Sequence, residues 1–530
     1  MKSSRRSILK VLPAALLGGR SACAQMAGKY NVGPTRIVRN KAPNGLVALW
    51  PGPQLFLDDY LVLRQEGLAK TTHHPRRLPN PVLTSREFAT GEPYITVIRD
   101  AERGVFRMWY NAWVEPEGKV KQRKPNAYLA YAESKDGIEW QAPRFSFVKE
   151  TSLAGKANLL MSLNGGYGGS VIDEGPAFSD KPRRFKLGYY QDAPGKYGLS
   201  VAFSGDGLRW TPFEGNPVLP GKYSEDDPLF TRSVCDEVEI FWDPLRARYA
   251  TFVKTKLVPE DGFLPSPGTS GIRRVGSFSV SPDFLHWRLP WRTVMPKRDE
   301  GLLDFVATGA TLCRGGLLIG CARLIHCEFS VDPGGPVEDA KRSVPLAGVG
   351  YVTLLTSRDG ESWERHREVF LNRNLDPTSW DHAIAWMGCQ LTVGDETYFY
   401  YGGYRNGWQV EPRTERQIGL AKLRRDGYVS RDAFGPDPGW LMTPLIKSER
   451  FAGLTVNAEA SRGEVRVQIR DQRLQVVPGF SFAECRPLRG DGLQQQVTWS
   501  GAGTPNKLQD IRLHLEFRVA DARLYGFEFA

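Results

Sequence analysis

Period-two runs of apolar residues recur along almost the whole chain, and helical periodicity is nearly absent beyond the first two dozen residues. Runs such as 127–132, 272–280 and 349–356 alternate or stay apolar for the length of a strand and end at Asp-Gly or a related pair, as a strand leading into a tight turn does. Upstream of each lies a second strand-like run: 105–110, 184–190, 249–253, 317–320 and 398–401. The pattern predicts short antiparallel β-sheets and no helical layer.

The turns carry a phrase that repeats. It reads Ser134-x-Asp136-Gly137-x-x-Trp140, then Ser204-x-Asp206-Gly207-x-x-Trp210, Ser281-x-Asp283-x-x-x-Trp287 and Ser357-x-Asp359-Gly360-x-x-Trp363, with a worn copy at Arg425-Asp426-Gly427. Copies stand about 75 residues apart, a spacing that marks one supersecondary unit repeated five times. The Asp side chain suits the turn amides, Gly a positive φ, and Trp the seam between units. These residues are expected to be structural. Short sheets repeated radially predict a five-bladed β-propeller.

After Gly427 the repeat stops. The stretch 431–438 reads as a linker, and 454–458, 463–469, 496–499, 511–517 and 524–529 alternate as strands of a β-sandwich. The expected organisation is all-β: a leader over 1–24, the propeller over 25–435 and the sandwich over 436–530. The sandwich is expected to cover one side of the propeller, with carbohydrate binding as the alternative role.

Ser4-Arg5-Arg6-Ser7-Ile8-Leu9-Lys10 matches the twin-arginine export pattern, followed by the apolar run 11–17 and a small-residue cleavage site at Ala22-Cys23-Ala24. A mature chain starting at Gln25, folded before export and working in the periplasm or outside the cell, is therefore expected. No later run reaches about 18 uninterrupted apolar residues, so no membrane span is expected. The composition, 41% hydrophobic and 24% charged with 55 Gly and 37 Pro, fits a turn-rich β protein. Six cysteines follow the leader: Cys235, Cys313, Cys321, Cys327, Cys389 and Cys485. Scattered without a CxxC pair, they read as buried thiols. The formal charge is +11, five of it in the leader. No basic run interleaves with aromatics, so nucleic acid is not an expected partner. A monomer or small homo-oligomer is expected.

Chemistry in a propeller gathers where the innermost strands converge. Counting back from the second strand of each unit gives a recurrent acid: Glu92, Asp236 and Asp304 each stand thirteen residues before it, and Asp381 seventeen before it in the last unit. The second unit has Gly165 to Gly169 instead. Carboxylates facing one another in a low-dielectric funnel push their pKa values apart, which lets a proton donor and a proton acceptor coexist. Glycosidic hydrolysis needs such a pair; holding a central cation or strand-end amides is the other reading. His382 follows Asp381 and suits a sugar hydroxyl, and Trp109, Trp113, Trp380, Trp386 and Trp408 are candidate stacking platforms or inter-unit core. Asp58-Asp59 reads as a ring-closing strand or loop. His73-His74 sits beside Pro75 in a loop with no second ligand cluster.

The acid opening the innermost strand and Ser-x-Asp-x-x-x-Trp closing the third resemble the five-bladed glycoside hydrolases of families 32 and 43, and the β-sandwich is similar to the accessory domain of family 32. The resemblance spans about 56–530. It implies that Gly91-Glu92-Pro93 takes the place of the first-blade base or nucleophile and that Cys235-Asp236-Glu237 takes the place of the third-blade acid, through Asp236 or Glu237. Asp304, Asp381, His382, Trp109 and Trp386 then bind a carbohydrate substrate or tune pKa. The departures are a Glu for the first-blade Asp and no second-blade Arg-Asp-Pro. No organic cofactor is implied; a structural Ca²⁺ ion in the funnel is the one candidate. A glycan-binding propeller without catalysis and a lyase acting on uronic-acid polymers are the rival readings.

Overall fold

The structure is a computed structural model and describes residues 36–37, 45–84, 89–114, 126–148, 158–193, 195–221, 234, 237–257, 273–294, 303–326, 348–407, 416–447, 453–501, 508 and 512–529. Among them there is no α-helix. Strands carry nearly everything, with a 3₁₀ turn at Lys181–Arg183.

Five antiparallel units follow one another. The first comprises Ala89–Asp100, Val105–Val114, Asn126–Ser134 and Trp140–Gln141; the second Tyr167–Asp173, Phe185–Ala193, Lys196–Ser204 and Thr211–Pro212. The third comprises Val238–Asp243, Arg248–Leu257, Arg273–Ser281 and Trp291–Val294; the fourth Leu303–Arg314, Leu317–His326, Val349–Ser357 and Glu364–Leu371. The fifth takes Ile384–Val393, Glu396–Tyr404 and Gln417–Arg424 from its own stretch and borrows its outer strand, Arg76–Arg77, from before the first unit. The fourth and fifth units share one hydrogen-bonded network through a single parallel bridge, Gly350 to Ile384.

The opening strand of each unit packs against that of the next, and the fifth packs against the first. Hydrogen bonds from side chain to backbone accompany every step. Thr96 Oγ1 accepts Val171 N–H (3.1 Å), Ser170 Oγ accepts Ile240 N–H (3.0 Å) and Glu239 Oε2 accepts Ala310 N–H (2.9 Å). Gln390 Nε2 donates to Ala310 O (2.5 Å), and Cys389 Sγ accepts Val97 N–H (3.3 Å). The apolar cores follow the same order, each drawn from two successive units: Trp109 with Leu187, Tyr190 with Ile240, Phe252 with Leu318, Ile319 with Trp386, and Tyr400 with Ile95.

The repeated phrase lies at these seams. Asp136, Asp206, Asp283 and Asp359 each accept two backbone N–H groups of their turn at 2.7–3.0 Å. The next residue takes a left-handed φ: 77° at Gly137, 75° at Gly207, 67° at Gly360 and 74° at Phe284. Neighbouring units grip these turns, Trp109 Nε1 donating to Gly207 O (2.7 Å), Tyr400 to Gly137 O (2.6 Å) and Arg248 to Gly360 O (3.0 Å). Trp363 of the fourth unit lies 4.8 Å from the Phe252 ring of the third, so the Trp packs between units as its spacing predicts.

The C-terminal strands form one twelve-stranded network around the long strand Leu454–Asp471, which pairs with Leu488–Gln496, Arg512–Ala520 and Ala522–Phe529. The runs 454–458 and 463–469 are therefore one strand. A slip of register between Ala460 and Val465 bends it where Ser461-Arg462-Gly463 suggests a turn. The stretch read as a linker begins in a buried strand, Val429–Ala433, hydrogen-bonded to Ala69–Thr72 on one side and Ala522–Phe529 on the other. Its polar side chains are tolerated because each is answered: Arg431 reaches Asp59 (2.7 Å) and Ser430 reaches His73 (2.7 Å). The network also holds Gly439–Met442, Leu445–Lys447 and the N-terminal strands Leu46–Ala48, Gln54–Leu55 and Arg64–Glu66, so it extends on both sides of position 435. Asp58 and Asp59 lie in the turn after Gln54–Leu55, where Asp58 pairs with Arg358 (2.9 Å); Arg76–Arg77 is the borrowed strand.

Candidate active site

The opening strands of the five units pack against one another in cyclic order. Glu92 lies on the first of them, where ladder pairing with Val105–Val114 breaks between Thr90 and Ile95. Pro93 has no N–H to offer a ladder, which favours such an irregularity, and bulges commonly re-aim side chains beside active sites. Asp304 sits at the start of the fourth opening strand, its backbone paired with Ile325. In the second unit, the Gly-rich turn brings backbone instead of an acid. Gly166 lies so close to Tyr190 O that a Cβ would fall 1.8 Å from it, and Gly168 N–H donates to Asn111 Oδ1 (2.8 Å).

Glu237 precedes the third opening strand and is 5% exposed, with Lys254 Nζ at 3.4 Å from its carboxylate. Lys254 is itself buried, on the second strand of the same unit. Burial of one carboxylate demands such a cation. Arg273, 1% exposed on the third strand, crosses to donate to Leu303 O beside Asp304. Arg323 of the fourth unit pairs with Glu239 of the third, donates Nε–H to Met387 O of the fifth (2.7 Å) and lies 5.7 Å from the Tyr94 ring of the first. Four units thus meet at one guanidinium. Tyr94 also stacks at 6.2 Å on Tyr167, which lies 6.0 Å from Trp113.

The remaining residues singled out in the sequence are placed elsewhere. Asp381 is 1% exposed and accepts from Ser379 Oγ (2.5 Å) and Tyr401 OH (2.9 Å) while pairing with Arg77 (3.1 Å) on the borrowed strand. His382 Nδ1 is 2.9 Å from Asn374 O in the loop leading to the fifth opening strand, and Arg373 donates to the His382 carbonyl (3.0 Å). Trp109 and Trp386 are fully enclosed, Trp109 donating to Gly207 O and Trp386 to Leu324 O (3.0 Å); neither presents a face to a sugar. Trp113 is 4% exposed and Trp380 stacks on Tyr401 at 5.6 Å. Asp236 and Trp408 lie outside the described residues, as do Cys235 and Cys327. The described cysteines are free thiols; burial pushes Cys389 up to about 11 and Cys321 higher still. Among the described residues no three His, Cys, Asp or Glu side chains gather as a metal site would require.

Sequence reasoning missed Lys254, Arg273, Arg323 and Tyr94. One signal was present: Tyr94 is two residues from Glu92 on a strand. The cations lie within strand sequence, where a period-two reading assigns them to an outer face.

No family model matches the chain, and no curated protein matches it. Among solved structures it is similar to a glycoside hydrolase (14% identity over 66% of this chain and 91% of the other, TM-score 0.43). It is also similar to the β-1,2-mannobiose phosphorylase of Listeria innocua (12%, 66% and 97%, TM-score 0.40). A third similar structure is a glycosyl hydrolase from Bacteroides ovatus (14%, 73% and 97%, TM-score 0.39).

Proposed function

We propose that the chain is an exported glycoside hydrolase: a five-bladed β-propeller followed by a β-sandwich, cleaving glycosidic bonds in an oligo- or polysaccharide at the end where the opening strands begin. The observation that carries the reading is the cyclic order of the opening strands. Glu92 and Asp304 lie near the starts of their opening strands and Glu237 just before its own, which supports a shared site there. The buried Glu237–Lys254 pair and the Arg273 side chain supply the charge control that paired carboxylates need. The borrowed strand Arg76–Arg77 and the successive inter-unit cores support radial closure.

In this reading Glu92 is the base or nucleophile, and Asp236 or Glu237 protonates the leaving oxygen. Asp304 binds substrate or tunes the pair. Either Glu92 takes the proton of the water that attacks the anomeric carbon, or its carboxylate attacks and water then cleaves the glycosyl ester, its proton returning to the acid. In both cases the bond to the leaving oxygen breaks as the acid's proton passes to that oxygen. The contacts among Tyr94, Arg323 and Glu239 tie the opening strands of the first and third units to the second strand of the fourth.

The test is release of reducing sugar from a broad panel of oligo- and polysaccharides by the protein lacking 1–24. Release without near-ultraviolet absorbance supports hydrolysis. Unsaturated products absorbing there mean a lyase, and binding without release means a glycan-binding propeller.

A further inference from the structure

A polar cavity of about 420 Å³ lies on the C-terminal sheet, lined by Arg64, Glu66, Trp440, Met442, Arg470, Leu474 and Glu516. Period-two alternation builds it. Leu441, Leu515, Phe517, Val467 and Ile469 turn inward to the core, which leaves Trp440, Met442, Glu516 and Arg470 on the opposite face. Register fixes their neighbourhood, Met442 standing between Arg64 and Glu516, and Trp440 opposite Glu66.

Glu516 forms the floor. It is 2% exposed, and both of its protein donors, Arg470 Nε (2.7 Å) and Gln468 Nε2, meet the same oxygen, Oε2. Among the described residues Oε1 takes no hydrogen bond. Oε1 is not one of the fully enclosed side-chain oxygens, so it is the atom of this carboxylate open to the cavity. Trp440 is partly exposed at the side with Arg64 over its ring at 5.5 Å, and Arg470 donates to Leu474 O (2.8 Å), holding the hairpin that forms the rim.

We infer that this cavity binds a neutral saccharide unit, with Trp440 under a sugar ring, Glu516 Oε1 accepting a hydroxyl proton and Arg470 fixing that carboxylate. The lining carries two guanidinium groups and two carboxylates, a balance that favours an uncharged, hydroxyl-rich ligand over an anionic one. An aromatic face combined with charged hydrogen-bonding groups binds such a ligand's C–H face and hydroxyls together. The choice of ligand class rests on the glycan-active reading above. The site itself is separate from the leading ends of the opening strands.

The test is retardation of the full chain in native gels containing soluble neutral polysaccharides (mannan, arabinan, arabinoxylan, mixed-linkage β-glucan) or anionic polygalacturonate. The parent is compared with Trp440→Ala, Trp440→Leu and Trp440→Phe. Retardation by a neutral polymer is expected, with affinity about tenfold lower in the Ala and Leu variants and largely kept in Phe, because the aromatic face carries the contact. The Leu variant retains apolar volume should Ala fail to fold. Equal retardation of parent and Leu variant, retardation by polygalacturonate alone, or none at all overturns the inference. Sugar release from short oligosaccharides, measured on the same proteins, is expected to be unchanged. If the parent releases none while neutral-polymer binding depends on Trp440, the hydrolase reading fails and this site stands.

Discussion

Arg77 Nε lies 3.1 Å from the buried carboxylate of Asp381, joining a two-residue strand near the N-terminus to the loop that opens the fifth unit. Tyr401 donates to the same carboxylate oxygen at 2.9 Å, and Ser379 to the other. The acid found by counting in the last unit is thus spent on holding the borrowed strand. Asp381→Asn is expected to cost about 2 kcal/mol in denaturant unfolding, since it removes the buried charge that accepts from Ser379 and Tyr401 and pairs with the partly exposed Arg77. Glycan affinity of the folded fraction is expected to stay unchanged. Affinity lost at unchanged stability would return Asp381 to the substrate.

The phrase Ser-x-Asp-Gly-x-x-Trp is expected to matter for stability alone. Asp359→Ala removes the acceptor of Glu361 and Ser362 N–H and should cost about 1–2 kcal/mol, the usual worth of a capping side chain. Trp363→Ala, which empties the space against Phe252 and Phe278, should cost about 3–5 kcal/mol. Both are read by chemical denaturation, with turnover per folded molecule as the control.

His73 gives a pH signature. Burial, with Arg523, His74 and Arg424 nearby, lowers its pKa from 6.5 to about 4. Between those values the unfolded chain binds the proton and the folded chain does not. Its contribution is therefore full above about pH 6.5 and lost as pH falls towards 4, by about 2–3 kcal/mol. Unfolding free energy measured across that range should fall less steeply in His73→Gln than in the parent.

Arg323 is expected to be the most sensitive position of the inter-unit contacts it makes with Glu239 and Tyr94. Arg323→Met strands Glu239 and should cost about 3–5 kcal/mol, whereas the double change with Glu239→Gln should cost less than the sum of the singles. Additive losses would show that the pair is not coupled.

The turns were legible because their chemistry is local. Ser134 to Trp140 contains every donor and acceptor of its own bend, so spacing alone found four of them. The strand alternation in Val105–Val114 or Ile384–Val393 was readable for the same reason. Arg76–Arg77 was not, since two arginines carry no strand pattern and become a strand only because Ala421 and Lys422 offer an unpaired edge. Nor was Val429–Ala433, whose Ser-Arg-Asp core looks solvated until His73 and Asp59 arrive from elsewhere in the chain. Counting placed Glu92 and Asp304 at the leading ends of opening strands. It did not find Lys254 or Arg323, because a cation's partner on another strand leaves no mark in its own.

The most direct measurement is kcat and KM for glycan hydrolysis by the parent beside Glu92→Gln and Glu237→Gln, each checked for an unaltered unfolding midpoint and for glycan binding. The account predicts a loss of kcat of at least about a thousandfold for Glu92→Gln with binding retained, the pattern of a group that acts in the transition state. Turnover of the parent that survives Glu92→Gln, Glu237→Gln and Asp236→Asn alike would contradict it and move the chemistry away from the leading ends of the opening strands.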